Sequence, residues 1–350
     1  MKRLSKKGKI IAIVSSLLVF LTIFAVVYFI TNKPETNDKQ ERVKVEEKEV
    51  EEKKIKIIDL DSDSRPYAVM INNISDVWGY QSGLQDAYLV YEIIVEGGYT
   101  RLMTVYKDVD LDRIGSVRSS RHYFLDYALE NDAVYVHFGW SPQAESDMKS
   151  LGVNNINFLT YNGYTRDTSL NLSSEHTAFT TTQNIKKGEE NYGYRTTSDQ
   201  KPLLNYNVDE IDLSNYDNSM VANNIYIDYS RNKSTSYVYD SENKVYKRFQ
   251  NNKEHVDYVT KEQYTAKNII VYQVSNSTIS GDDKGRQDIN NIGEGEGYYI
   301  TDGYAIPITW SKSSRASQTI YKTMDGKELE VNDGNTFIQI QPKGLTLTIE

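Results

Sequence analysis

The feature that most limits what this chain can become is an uncharged run from Ile10 to Ile30. About 20 such residues cross a bilayer as a helix, so the run predicts a membrane anchor rather than part of a water-facing core. Lys2, Arg3, Lys6, Lys7 and Lys9 precede it, and the positive-inside rule keeps that basic stub in the cytoplasm. A cleaved signal peptide is the competing reading. The run exceeds the ~7–15-residue apolar stretch of such peptides, however, and no small-x-small cleavage site follows it. Residues 1–30 therefore predict a basic stub and an uncleaved, single-pass signal anchor in the cell membrane, with the folded remainder extracytoplasmic.

Residues 31–64 alternate charge with few large apolar side chains, as in EKEVEEKKIK, and predict a solvated tether. Setting the five basic residues of the stub aside leaves 35 of the 40 Lys and Arg against 49 acidic residues, a surplus of 14 negative charges outside the membrane. That balance excludes nucleic acid as partner and leaves only local anion binding. No cysteine occurs anywhere, so disulfides, thiolate nucleophiles and cysteine lipidation are excluded.

The central stretch is RIGSVRSSRHYFLDYALENDAVYVHFGWSPQ, Arg113 to Gln143. Tyr123, Phe124, Tyr127 and Ala128 recur as a helical stripe, and Ser119 and Ser120 are favoured N-caps, so the spacing predicts a helix beginning there. Arg118 and Arg121 then lie at its positive end, where a cation needs a compensating anion. That anion is either a bound ligand or a carboxylate of the protein, Glu92 or Glu96. DAVYVHF predicts a buried strand, Ala133 to Phe138, with His137 near its carboxyl end. Ser141 and Pro142 predict the start of a second helix that Gly152 ends. Ligands of α/β sheets sit beyond the carboxyl ends of strands, which makes His137 a candidate site residue.

RPYAVMINN, Arg65 to Asn73, predicts the first strand. AYLVYEIIVEGGYTRLMTVYKD predicts a hairpin turning at Gly97-Gly98. Alternation puts Glu92, Ile94 and Glu96 on one face, giving either a catalytic carboxylate pair or partners for Arg101, Arg118 and Arg121. The pattern weakens from Gly152 to Val221, where Arg166, Asp167 and His176 are the polar side chains able to enter a pocket. From Asn223 onward NIYIDYS, STSYVYD, KVYKRFQ, NIIVYQV, YAIPITW, QTIYKTM and TFIQIQP alternate, with turns at Asp302-Gly303, Asp325-Gly326 and Asp333-Gly334. These predict a small antiparallel sandwich or barrel. The fold class expected is α+β: an N-terminal transmembrane helix, a mixed α/β domain over 65–221, and a mostly antiparallel β domain over 222–350.

Several familiar patterns fail on inspection. Gly293-Glu-Gly-Glu-Gly297 lacks the last glycine of a dinucleotide fingerprint, since Tyr298 stands in its place. Gly139-Trp-Ser141 lacks the second glycine of a nucleophile elbow. The four histidines, 122, 137, 176 and 255, lack metal-ligand spacing, and no motif asks for a cofactor.

RPYAVMINN, QSGLQDAYLVYEIIVEGGYTRLM, the central R-x-G-x-V-R-S-x-R run, NIGEGEGYYITDGYAIPITW and GNTFIQIQP together resemble the YerB-like family of bacterial cell-envelope proteins, built on a domain of unknown function. The resemblance spans about Arg65 to Pro342. It implies an N-terminal α/β part, a C-terminal β part and a location outside the membrane. Its members are typically lipoproteins, whereas this chain has no acceptor cysteine, so here the helix must anchor. The function expected is binding of a cell-wall component or small anion in a pocket lined by Arg101, Arg113, Arg118, Ser119, Arg121, Arg166 and Asp167. An alternative is a peptidoglycan hydrolase or lytic enzyme using Glu96 as acid/base with His137. A third reading is a scaffold that docks another envelope protein.

Overall fold

The computed structural model describes residues 21–28, 30–32 and 54–350. Residues 21–28 are helical, and their apolar side chains are exposed. The first half of the run expected to cross the membrane, and the tether up to residue 53, lie outside the described residues. Among the described residues no helix is long and apolar enough to cross a membrane.

From Lys53 onward the chain forms one compact unit. Residues 54–64, read from the sequence as the end of the tether, lie on it. Asp333 accepts the backbone N–H groups of Lys56 and Ile57, and Ile58 is buried.

The first strands are β1 (Tyr67–Asn73), β2 (Leu89–Ile94) and β3 (Thr100–Tyr106). Helix α1 (Phe124–Glu130) leads to β4 (Val134–His137), then α2 (Pro142–Leu151), β5 (Asn155–Asn157) and α3 (Thr182–Tyr192). There follow β6 (Asn224–Ser230), β7 (Lys233–Asp240), β8 (Val245–Gln250), β9 (Asn268–Val274), β10 (Gly293–Thr301) and β11 (Tyr304–Lys312). The chain ends with β12 (Ile320–Thr323), β13 (Thr336–Pro342) and β14 (Leu347–Ile349).

One large sheet runs β11-β10-β9-β13-β2-β3-β1-β4-β5, with β12 on β11. Pairing is parallel for β1 with β4, β4 with β5, and β13 with both β2 and β9. A second, antiparallel sheet contains β8-β7-β6-β14. The expected self-contained β sandwich is corrected accordingly. β6, β7 and β8 form their own sheet, while β9, β11, β12 and β13 join the N-terminal strands. Alternation in a sequence shows which side chains share a face but not which strand lies alongside.

Burial explains the layering. β1, β2, β3 and β13 are buried along their whole lengths, as strands covered on both faces must be. β2 presents Tyr91 to one layer and Glu92 to the other. The Tyr91 hydroxyl donates to Glu130 at the end of α1 (2.8 Å), whereas Glu92 faces Arg248 and Thr235 of the second sheet. At β2 the large sheet is thus covered by a helix on one side and a sheet on the other.

Local signals hold at several places. Ser141 caps α2 by accepting from Ala144 N, and Gly152 closes it in a left-handed conformation. Asp302-Gly303 forms the two-residue turn between β10 and β11, both residues with positive φ. The hairpin at Gly97-Gly98 forms too, but Ile94 pairs with Thr100, so its loop spans five residues rather than two.

Candidate functional site

The carboxyl ends of β1, β2, β4 and β5 gather on one edge of the large sheet, and the expected site residues divide among clusters near it. The central loop does not start a helix at Ser119. Instead, residues 117–121 run extended: Arg118 N donates to Met70 O, Ser120 N to Gly139 O and Ser141 N to Ser120 O. Ser120 Oγ accepts from the Tyr135 hydroxyl (2.9 Å), and α1 begins only at Phe124, with no side-chain cap. Backbone partners on both sides outweigh the cap that serine would supply. Arg118 and Arg121 are therefore not at a helix N-terminus, which corrects that expectation.

Glu96, Arg101, Ser119 and Arg121 do come together. Arg101 donates to the Ser119 carbonyl (2.5 Å) and to Glu96 Oε1 (3.1 Å). Arg121 Nε donates to Glu96 Oε2 (2.9 Å), and its Nη2 also reaches Glu96. The ion-pair alternative thus describes Arg121 and Glu96, while Arg118 turns to Glu175 (3.0 Å), whose side chain is 60 % exposed. Burial tends to raise the Glu96 pKa, but the guanidiniums of Arg101 and Arg121 prevail and hold it at about 2. Burial, Arg121 and more distant Arg118 push Arg101 down to about 9, against the pull of Glu96. Two guanidiniums thus hold the part-buried Glu96 while Arg118 nearby holds Glu175, so three cations face two carboxylates.

His137 is fully buried. Its Nδ1 lies 2.8 Å from the Gly139 carbonyl oxygen and its Nε2 3.1 Å from Asn155 Oδ1. Burial lowers its pKa to about 4, so the ring is neutral at pH 7. Glu96 is ionised at that pH, with no proton to give as a general acid.

Arg113, Arg166 and Asp167 form a separate group beside the short strands 114–115, 165–166 and 178–180. Arg113 pairs with Asp167 (2.9 Å) and lies over the Phe179 ring (3.5 Å). Arg166 lies over Phe138 (4.9 Å) and donates to the Ser174 carbonyl. His176 accepts from Asn72 Nδ2 (2.9 Å).

Two features escape a reading of the sequence. Glu92, expected to act with Glu96 or to pair with Arg101, Arg118 or Arg121, does neither: it is wholly buried and shared by Arg248 (2.6 Å) and Lys233 (3.1 Å), with His255 next to Arg248. A charge inside the apolar strand LVYEII was the available signal, because a buried carboxylate needs partners. The second is a cleft of about 410 Å3 beside β5, lined by Trp140, Met148, Val153, Asn157, Tyr192 and Tyr194 among others. Nothing in the linear order brings those residues together.

The architecture is that of a mixed α/β protein whose parallel strands end at a shallow, polar edge. Within that class, residues 56–195 match the N-terminal domain, and 225–338 the C-terminal domain, of a protein family of unknown function, DUF3048. The "Putative lipoprotein YerB" of Bacillus subtilis is 30% identical over 284 residues, 80% of this chain and 82% of that protein. The crystal structure of Bacillus subtilis YerB superposes with a TM-score of 0.71 at 29% identity, over 82% of this chain and 94% of that one. The chain belongs to the DUF3048 family.

Proposed function

We propose that this protein is a membrane-tethered, extracytoplasmic envelope protein that binds an anionic, cell-wall-derived ligand at the Arg101–Arg118–Arg121 cluster. The tether part of the reading draws on the name of its Bacillus relative, a lipoprotein. It also draws on the helical residues 21–28, which carry exposed Leu21, Ile23, Phe24, Val26 and Val27 on all sides. A helix that is apolar all round requires a protein core or a membrane. With no cysteine to carry a lipid, the helix serves as anchor.

One observation carries the ligand part. Arg101 and Arg121 share the single carboxylate of Glu96, and Arg118, near enough to Arg101 to lower its pKa, is paired only with Glu175, which reaches it from solvent. An exposed ion pair of that kind is worth only about 0–1 kcal/mol, so an incoming carboxylate or phosphate displaces Glu175 at little cost. Bidentate Arg–oxyanion geometry favours such a ligand over a neutral one.

The test is co-sedimentation of the full-length detergent-solubilised protein with purified cell-wall sacculi. Arg118→Ala should weaken capture about tenfold, the loss of one charge-assisted contact, and Glu175→Gln should strengthen it. Unchanged capture by a folded Arg118→Ala protein would sink this reading.

A further inference from the structure

The cleft beside β5 is separate from the arginine cluster and has a different chemistry. Its volume, about 410 Å3, falls within the roughly 300–1,000 Å3 of small-ligand sites. One wall is aromatic: Tyr192, 38 % exposed, stacks on Tyr194 with centroids 5.5 Å apart, and Trp140 also lines the cleft. The Tyr194 ring is fixed in place, because its hydroxyl accepts from Asn155 N and donates to Asn155 O (3.0 Å). Met148 and Val153 supply an apolar corner. At the rim Lys149 pairs with Glu145 (3.1 Å), so no charge there awaits a counter-ion.

The polar groups left over are donors. Asn157 is 3 % exposed; its Oδ1 accepts from the backbone N–H groups of Gly139 and Leu159, both at 3.0 Å. Two donors on one atom fix which end of the amide is oxygen, and Asn157 Nδ2 is left buried with no partner. No water-sized atom reaches that nitrogen, so the donor within reach of a ligand is the indole N–H of Trp140, a partly exposed ring that makes no hydrogen bond among the described residues.

We infer that this cleft binds a 2-acetamido sugar of a glycan chain. An acetamido group offers what the cleft lacks: a carbonyl acceptor for the Trp140 indole N–H and a methyl for the Met148–Val153 corner. A pyranose ring has an apolar C–H face for the Trp140 and Tyr192 rings. This inference goes beyond the arginine cluster and does not rest on it.

The experiment is fluorescence titration of the full-length protein in detergent with N,N′,N″-triacetylchitotriose, and with cellotriose, which lacks the acetamido groups. Trp78 and Trp310 are only 8 % and 4 % exposed, so Trp140 dominates any change on binding. Chitotriose should give a saturable response, with cellotriose at least about tenfold weaker for want of the amide contacts. Trp140→Phe keeps a ring but removes the donor; read by calorimetry, it should weaken binding about fivefold. The half-exposed Tyr192→Ala should weaken it as much without unfolding the protein. Tighter binding of muramic-acid-bearing wall fragments than of chitotriose would place the glycan in peptidoglycan, and equal binding would point to a free glycan. The inference is overturned by no saturable response at millimolar chitotriose, by equal affinity for cellotriose, or by both variants binding like the parent.

Discussion

Arg248 donates through Nη2 to Oε2 of Glu92 at 2.6 Å, joining β8 of the second sheet to β2 at the centre of the first across 156 residues of sequence. Both side chains are without solvent exposure, as is Lys233, the other cation on Glu92. The Thr100 and Thr235 hydroxyls and Asn73 Nδ2 also donate to the carboxylate. Removing one member of such a buried pair leaves an uncompensated charge and typically costs about 3–5 kcal/mol. Glu92→Gln should lower unfolding free energy by that order, because it leaves Arg248 and Lys233 buried together without an anion. Arg248→Met in the same background removes one of those two stranded cations and should restore part of it, so the double variant loses less than the two singles combined. Urea unfolding with an unchanged m-value measures this; simple additivity would show that the contact carries no coupling.

Acid should destabilise the fold in two stages. His137 is held at about 4 by burial, below its ordinary 6.5, and His255 is lowered well below 6.5, again first by burial. Between pH 6.5 and 4 the unfolded chain therefore binds protons that the folded chain does not, and stability falls as pH falls. Glu92 and Glu96 follow: burial opposes ionisation, but Lys233 and Arg248 for the first, and Arg101 and Arg121 for the second, keep both near 2 rather than 4.5. Their contribution is complete above pH 4.5 and is lost on descent towards 2. Melting midpoints against pH should show both stages. His137→Gln should shrink the first, and Glu96→Gln the second. A midpoint flat from pH 7 to 4 would contradict the first stage.

What the sequence disclosed follows from how local each signal is. The cap at Ser141, the left-handed Gly152 and the Asp302-Gly303 turn depend on a few adjacent residues, and the structure keeps all three. Helix α3 leaves only a weak signal because Thr182, Ile185, Gly188 and Glu189 are its buried positions, a poor apolar stripe. Gly188 is there for packing: a Cβ would meet the Ile156 side chain at 2.8 Å. GEGEG failed as a nucleotide loop because it is strand β10, where Gly297 lies against the Val271 carbonyl and a Cβ would meet it at 2.6 Å. In the site, the association of Arg121 with Glu96 was within reach, since both flank one hairpin and the loop above it. The partners of Glu92 and the walls of the Trp140 cleft come from segments far apart in the chain. No periodicity encodes which of them meet.

Gly303 tests how much one of those local signals contributes. Its φ is +81, and a Cβ there would meet the Tyr239 ring at 2.9 Å. Gly303→Ala should therefore cost about 1–3 kcal/mol through backbone strain and a forced ring shift. Loss of order in thermal unfolding, with Asp302→Asn near neutral for the backbone because asparagine tolerates positive φ, would confirm the turn. A Gly303→Ala protein as stable as the parent would refute it.

The two halves that match separate family domains should nevertheless unfold together. β13, from the C-terminal half, lies between β2 and β9 and pairs with both. Glu130 at the end of α1 accepts from Lys312 Nζ (2.8 Å) and Thr319 N (3.0 Å), and Arg315 reaches both Asp126 and Asp147 at 2.6 Å. Separating the halves would open the edge of β2 to water and leave Glu92 and Glu130 buried without their cations, an outcome costly enough to couple the two transitions. Calorimetry should give one peak for residues 53–350, with van't Hoff and calorimetric enthalpies equal. By the same argument a chain ending at Val221 should fail to fold, because its central strand would have lost a neighbour and its buried acid both partners. Two resolved peaks, or a folded truncated chain, would show instead that the contacts across the sheet join units that are stable alone.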